Sequence, residues 1–518
     1  MHSSMNLLVG FEKWVKTLPI KFAGWAFAFD AILVPFTARL SFWLFFFCAI
    51  GILLKTVRRM PHFFCRFLGE GRQKSKNGQT PGSFILHLVN QFGTLSQLLF
   101  GVMRTQLHFN SQTVIRMKNM KVCVIGLGYI GLPTAALMAK AGHEVIGVDV
   151  NKKVVEIINS GHIHIIENGL EALVKGVVEN GALKAQMTPC EADAFIVAVP
   201  TPVHEDEGHT PGLEYVDAAS QAIAAYVKPG NMVILESTSP VGTTERIAEV
   251  IEKRGVDVSK IYFAHAPERV IPGRALIEMV ENDRIIGGVT PEATAVVKAL
   301  YATFVKGELL ETTSRTAEMS KLTENSFRDV NIAFANELSM ICDDLGIDTM
   351  ELIRLANHHP RVNILTPGCG VGGHCIAVDP WFIVSRSPER AKLIRCAREE
   401  NEFKSDWVIS KVRETYKAFG KFRPKIAILG LAFKPDIDDL RASPAIKIAA
   451  RLVKESIADW MVVEPNIESH PQFELTPYEK AIAEADVIVV LVKHSKFHGL
   501  IGRNLAARVL NFCDLQID

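Results

Sequence analysis

One thiol stands in the run Gly370-Val371-Gly372-Gly373-His374-Cys375-Ile376-Ala377-Val378-Asp379-Pro380, four residues ahead of a carboxylate. A cysteine in a glycine-rich loop can approach a carbonyl carbon closely and attack it. On residue type alone, nucleophilic and inert roles for Cys375 are evenly matched, because nearby Cys369 allows a structural or redox pair. His374 reads as an ordinary hydrogen-bonding residue. His358, His359 and Arg361 form a polar cluster upstream, but no third ligand is spaced for a metal, and none is expected. From Thr316 to Leu345 there is no Pro or Gly, which predicts a long helix. Lys321, Asn325 and Arg328 stand at i, i+4 and i+7 and share one face of it. That row could hold an anion and a developing oxyanion, or it could be a solvated face. Phe327, Val330, Phe334, Leu338 and Ile341 predict a second, buried stripe.

The elements that must position these groups are legible on either side. Lys121 to Ile125 is an apolar strand, and Gly126-Leu127-Gly128-Tyr129-Ile130-Gly131 follows at once. Leu132 to Ala141 reads as a helix and His143 to Val148 as a strand ending at Asp149. This βαβ setting makes the glycine pattern a dinucleotide fingerprint. Gly126 permits the tight turn, Gly128 lets backbone approach a pyrophosphate, and Gly131 lets helix pack on strand. The helix N-terminus then faces the phosphates. Asp149 is placed for ribose hydroxyls and would repel a 2′-phosphate, so NAD is expected rather than NADP. Two further strands, Ala194 to Val199 and Met232 to Leu235, lead into Thr201 and Thr238, which stand as cofactor neighbours or as turn formers.

Toward the C-terminus, Lys425 to Leu429 is a strand followed by Gly430-Leu431-Ala432-Phe433-Lys434-Pro435. Ser443 to Glu455 is helical in pattern, and Met461 to Pro465 and Ala485 to Val492 are strands. This is a second βαβ unit without the full fingerprint. Phe433 could stack on a base and Lys434 meet a phosphate, or both could serve packing and solvation.

A chain of 518 residues predicts roughly three domains. The net charge of +1 hides an asymmetry: residues 1–116 hold 13 Lys+Arg against 3 Asp+Glu, and 16 of the 29 Phe. The remainder is mildly acidic, which gives no reason to expect a nucleic-acid partner. Nine scattered cysteines suit a reducing compartment, with Cys123, Cys342 and Cys396 expected as buried, inert thiols. Leu40 to Leu54 is unbroken apolar sequence, short for a bilayer span, which needs about 17–25 residues. Residues 31–54 are thus either a membrane segment or, if the native chain begins at Met117 or Met120, part of a start-site artefact. Basic residues are denser after the run, so a span would leave the body cytoplasmic.

The stretches Leu322 to Leu338, His359 to Pro367, Val371 to Val384 and Gly430 to Pro444 are long and specific. Through them residues from about 120 to 495 resemble the UDP-glucose/GDP-mannose dehydrogenase family. The resemblance implies an α/β fold with two Rossmann-like domains joined by a long central helix. The corresponding boundaries are a hydrophobic and basic extension at 1–116, an NAD-binding domain at 117–310, a central helical domain with the cysteine loop at 311–420, and a UDP-binding domain at 421–518. It implies a homodimer or higher homo-oligomer. It assigns Cys375 as nucleophile, Lys321 as acid/base or oxyanion partner, Asn325 as support for that oxyanion, Asp379 to water activation or order, and Glu268 as an acid near the reacting carbon. Arg269, Val270, Arg328, His359, Arg361, Gly372, Phe433 and Lys434 match substrate-binding positions, Arg361 in a neighbouring subunit's site. Tyr129, Ile130, Asp149, Thr201, Thr238 and Arg441 match cofactor-binding positions.

The implied reaction is oxidation of a UDP-sugar at C6 to the uronate, through a thiohemiacetal and a thioester on Cys375, with two NADH formed. Lys321 is expected to lower the Cys375 pKa. His374 stands where UDP-glucose enzymes usually carry serine or tyrosine, which favours an N-acetylated sugar. UDP-N-acetylmannosamine is the expected substrate, with the gluco and galacto epimers as alternatives. A membrane-tethered, non-catalytic nucleotide-sugar binder is the reading from another class. The tail Asn511-Phe512-Cys513-Asp514 departs from the family's Asp-x-Arg or Asp-x-Lys.

Overall fold

The computed structural model describes residues 119–515, apart from 205–207, 272, 374, 421 and 500–505. The extension at 1–116, with its apolar segment at 31–54, lies outside the described residues, as does His374.

The first sheet has eight strands: β1 (Lys121–Ile125), β2 (Glu144–Val148), β3 (Leu183–Gln186), β4 (Ala194–Val197), β7 (Met232–Leu235), β8 (Tyr262–His265), β9 (Arg284–Gly288) and β10 (Leu309–Thr313). A small hairpin, β5 (Val203–His204) and β6 (Thr210–Pro211), lies apart. The strand order is β10-β9-β8-β7-β4-β1-β2-β3. The order reverses between β1 and β4, the crevice where doubly wound sheets bind ligands. Most pairs are parallel, but β9 runs antiparallel to β8, with Ala264 opposite Gly288 and His265 opposite Gly287. Strands such as Ala194–Val197 are buried throughout because helices cover both faces.

The second sheet is parallel, ordered β12 (Asp459–Val463), β11 (Lys425–Leu429), β13 (Val487–Val490) and β14 (Arg508–Asn511). It too reverses order beside its first strand. Six helices matter to the site: α1 (Gly131–Lys140), α2 (Thr243–Glu252), α3 (Ser314–Leu345), α4 (Asp379–Arg386), α5 (Lys392–Phe419) and α6 (Pro444–Val453).

The central helix α3 is capped by Thr313, whose side chain accepts from the Thr316 N–H, and stops at left-handed Gly346. Its buried face carries Leu322, Ser326, Asp329, Ala333, Asn336 and Met340. This corrects the expected buried stripe: Phe327 is 70% exposed, Phe334 50% and Ile341 45%. The reason is that α5 packs on a polar seam rather than on the phenylalanines. Asp329 Oδ1 accepts from Arg398 and from Asn401, each at 2.8 Å, and Asn336 Nδ2 donates to Asn401 Oδ1 at 2.8 Å. At its N-terminal end, Glu318 accepts from the Gly242 N–H at 2.7 Å and the Thr244 N–H at 2.8 Å, which pins α3 to the start of α2. Among the described residues no helix is long and apolar enough to cross a membrane.

Candidate active site

The thiol loop is held by groups from three elements. Asn336 on α3 accepts from the Gly368 N–H at 2.9 Å, and Ser405 on α5 donates to the Cys369 carbonyl at 2.8 Å. The Gly373 N–H donates to the Arg441 carbonyl at 3.2 Å. The glycines are required by proximity. A Cβ on Gly372 would lie 2.7 Å from Pro444 and 2.9 Å from Phe433, and Gly373 has φ +85° with the Phe433 ring against it. The Phe433 ring therefore packs on the thiol loop, with the Lys434 ammonium 5.4 Å from its centroid.

Cys375 ends the loop, and its carbonyl accepts from the N–H groups of Val378 and Asp379, at 3.0 and 2.8 Å. That turn starts α4, so Asp379 sits in a helical first turn and is 3% exposed. Asn325 Nδ2 on α3 donates to Asp379 Oδ2 at 2.5 Å. Burial raises the Asp379 carboxyl to about 6, opposed by the Asn325 hydrogen bond and the Lys321 charge. Burial and the Asp379 carboxylate also push the Cys375 thiol up, while Lys321, Lys434 and Arg441 pull it down. Lys321 lowers it as expected, but desolvation and the neighbouring carboxylate outweigh the cation and leave the thiol above its ordinary value. Cys369 is the poorer nucleophile. It is 7% exposed, donates toward the Leu491 carbonyl at 3.5 Å, and burial pushes its thiol to about 12. All described cysteines are free. Cys123 and Cys342 are buried as expected, whereas Cys396 is exposed, on the open side of α5.

The other cleft lies at the reversal of the first sheet. Gly126 has φ +91°, and a Cβ there would fall 2.5 Å from the Ala198 carbonyl oxygen. A Cβ on Gly131 would fall 1.8 Å from the Gly126 carbonyl oxygen, whereas one on Gly128 would meet open space. The open approach at Gly128 and the uncapped N-terminus of α1 suit a pyrophosphate. Asp149 accepts from the N–H groups of Leu127 and Asn151, at 3.1 and 2.9 Å, which poises its carboxylate at the rim. Thr201 Oγ1 donates to the Thr238 carbonyl at 2.7 Å, so the loops after β4 and β7 are joined. The Arg441 guanidinium stands 5.3 Å from the Tyr129 ring centroid. The loop that carries Arg441 thereby meets the glycine fingerprint, and Arg441 also contributes charge at Cys375. Fit to NAD is good on these grounds. Ile130 and Gly131 complete the entry to α1.

Not every expected residue joins these two groups. Arg269 is held by Glu324 at 2.9 Å and by the Asp283 carbonyl, and Val270 packs on the first core. Arg328, His359 and Arg361 are exposed, and the His359 ring accepts from the Arg361 N–H at 3.3 Å. Glu268 is buried, with Arg284 Nη1 donating to its Oε2 at 2.7 Å. Arg284 and its second partner Glu236 were missed by sequence reasoning; a lone arginine opening the apolar run Arg284–Gly288 was the available signal. Glu464 was missed too. It occupies in the second sheet the place of Asp149 in the first, accepting from the Leu431 and Ala432 N–H groups at 2.7 and 3.0 Å. His494 covers it at 3.1 Å, so it is buried where Asp149 is accessible.

A dinucleotide cradle at the first of two doubly wound sheets, with a half-buried thiol in a glycine-rich loop, defines the class as a nucleotide-dependent dehydrogenase. The chain belongs to the UDP-glucose/GDP-mannose dehydrogenase family: it matches that family's NAD binding domain over residues 120–305, its central domain over 315–403 and its UDP binding domain over 427–512. A UDP-N-acetyl-D-mannosamine dehydrogenase of Campylobacter jejuni is 55% identical over 409 residues, 76% of this chain and 99% of that one. An NDP-N-acetyl-D-galactosaminuronic acid dehydrogenase of Ralstonia nicotianae is 51% identical over 402 residues, 75% of this chain and 94% of that one. The solved structure of a UDP-D-ManNAc dehydrogenase from Pyrococcus horikoshii superposes with TM-score 0.71 at 39% identity, covering 77% of this chain and 96% of that one. The protein is an NAD-dependent nucleotide-sugar dehydrogenase.

Proposed function

We propose that the chain oxidises C6 of UDP-N-acetyl-D-mannosamine to the carboxylate of the uronate, with Cys375 as the covalent carrier. Bound NAD supplies the hydride acceptor, so that alcohol, water and two NAD+ become carboxylate, two NADH and three protons. Phe433 and Lys434 would hold the uridine and its diphosphate, while Arg269, Arg328, His359 and Arg361 reach the rest of the nucleotide sugar. When the alcohol has become an aldehyde, Cys375 Sγ bonds to its carbon and the thiol proton leaves. Lys321 and Asn325 face the oxygen that gains the charge. After the second oxidation the carbon is held as a thioester. Glu268 takes a proton from water as the water oxygen bonds to that carbon, the C–S bond breaks, and the thiolate leaves. Asp379, fixed by Asn325, sits against the sulfur throughout.

The observation that carries this reading is the placement of Cys375 beside Asp379 and Asn325 in a chain whose relatives act on N-acetylated nucleotide sugars. The galacto epimer is the second reading, supported by the Ralstonia relative. NADH release is measured with each of the three UDP-N-acetylhexosamine epimers. Two NADH per uronate with the manno sugar, and less with the others, is the expected result; no NADH from any of them rejects the proposal.

A second copy of this chain is the occupant we propose for the exposed Phe327, Phe334 and Ile341 face of α3, giving a homodimer in which Arg361 reaches the partner's site. The catalytic body would work in the cytoplasm, where NAD and UDP-sugars are made, with membrane association resting on residues 31–54.

A further inference from the structure

The reversed strand β9 has a consequence beyond closing the sheet. Its register with β8 pairs Ala264 with Gly288 and His265 with Gly287; continued past the strand end, it sets Arg284 across from Glu268. The side chains meet there. Arg284 Nη1 donates to Glu268 Oε2 at 2.7 Å, and Nη2 donates to Glu236 Oε1 at 2.7 Å and to the Ala266 carbonyl at 3.0 Å. The guanidinium also lies 4.6 Å from the Tyr301 ring centroid. Tyr301 Oη donates to Glu236 Oε1 at 2.6 Å, and Thr134 Oγ1, on the cofactor helix α1, donates to Glu236 Oε2 at 2.9 Å. The remaining Glu268 oxygen accepts from the Arg269 N–H at 2.5 Å. Arg284 is 4% exposed, Glu236 2% and Tyr301 0%.

Two carboxylates around one buried guanidinium leave a negative charge over if both are ionised. Burial pushes the Glu236 carboxyl up, against the pull of Arg284. Glu236 accepts from Arg284, Tyr301 and Thr134 through both of its oxygens, which fixes that side chain and, through it, the guanidinium. Glu268 is held on both oxygens, by the Arg269 N–H and by Arg284, and fixed placement is what a general base for water needs.

We propose that Arg284 is a positioning residue for the Glu268 carboxylate, locked in turn by Glu236 and Tyr301, and that it sets the rate at which the cysteine-bound acyl group is released. This rests on the thioester reading of Cys375 and Glu268 given above. In the hydrolysis step the water proton passes to Glu268, the water oxygen bonds to the acyl carbon, and the carbon–sulfur pair returns to Cys375.

The test mixes the full chain with UDP-N-acetylmannosamine and NAD, quenches in acid and reads the intact mass and the labelled peptide. In Arg284→Gln the adduct on Cys375 should accumulate and decay about 10- to 100-fold more slowly than in the unmodified protein. Arg284→Lys, which keeps the charge but not the fork, should restore part of the rate and serves if the glutamine variant does not fold. Arg284→Gln combined with Glu268→Gln should be no slower than Glu268→Gln alone. Adduct decay at the normal rate in a folded Arg284 variant, or losses that multiply in the double variant, would overturn the positioning role. A Glu268→Gln protein that turns over sugar yet never carries mass on Cys375 would instead overturn the reaction reading, and this inference with it.

Discussion

Asn325 on the central helix donates to the Asp379 carboxylate at 2.5 Å, and that carboxylate opens the helix that starts at the end of the Cys375 turn. The pair ties α3 to the turn that carries the sulfur. It also keeps a buried acid beside a thiol: burial raises the proton affinity of each, and the carboxylate raises that of the thiol further.

Removing the acid should therefore make the thiol easier to ionise. Asp379→Asn takes away a like charge while Lys321, Lys434 and Arg441 remain. Alkylation of Cys375 by iodoacetamide should become faster at pH 8 and its profile should move to lower pH, even as uronate formation falls. Slower alkylation in the variant would contradict the assigned cause.

The same variant should gain stability, and the gain should depend on pH. The Asp379 carboxyl is raised from 3.8 to about 6 on folding. Its bound proton supports the folded state fully below about pH 4, and that support is lost as pH rises through about 6. By linkage the ionised acid costs about 3 kcal/mol at pH 8 and well under 1 at pH 4. Thermal unfolding of Asp379→Asn against the parent should show a large upward shift at pH 8 that shrinks toward pH 4. A shift of equal size at both ends would remove Asp379 from this role.

Gly128 and Gly131 should separate cofactor binding from folding. Gly128→Ala adds a methyl to open space, so the melting temperature should hold while NAD affinity drops. Gly131→Ala drives a Cβ to 1.8 Å from the Gly126 carbonyl oxygen, and should lower stability by about 1–3 kcal/mol as well. Calorimetric titration with NAD, alongside melting curves, distinguishes the two.

Asp149→Ser should relax the cofactor choice. The carboxylate now stands at the rim of the cleft, where a 2′-phosphate would come. The ratio of kcat/KM for NAD over NADP should fall by about tenfold or more, the worth of one charged hydrogen bond. An unchanged ratio would place discrimination elsewhere.

The exposed face of α3 yields a test of assembly. Phe334→Glu puts a charge in the centre of the apolar row Phe327, Phe334 and Ile341. Light scattering after gel filtration should change from dimer to monomer, with normal far-ultraviolet dichroism. A monomeric parent protein would remove the proposed interface.

Local pattern carried much of this protein. Lys121–Ile125, Met232–Leu235 and Lys425–Leu429 are strands over the residues expected, because short apolar runs that end at a glycine turn or at a Ser, Thr and Pro cluster have few other solutions. The fingerprint, the long helix and the thiol loop were readable for the same reason: each is a short-range constraint on backbone. Which side of the long helix turns inward was not readable. Phe327 and Phe334 are more apolar than Asp329 and Asn336, yet the polar residues are buried, because Arg398 and Asn401 arrive from α5 and hydrogen-bond to them. The effect of Lys321 on Cys375 was likewise decided in three dimensions, by the depth of the sulfur and the closeness of Asp379. Glu268, Arg284 and Glu236 form one network only because β9 runs against β8; periodicity within a strand carries no information about its neighbour's direction, so only the folded sheet could bring that arginine to its two acids.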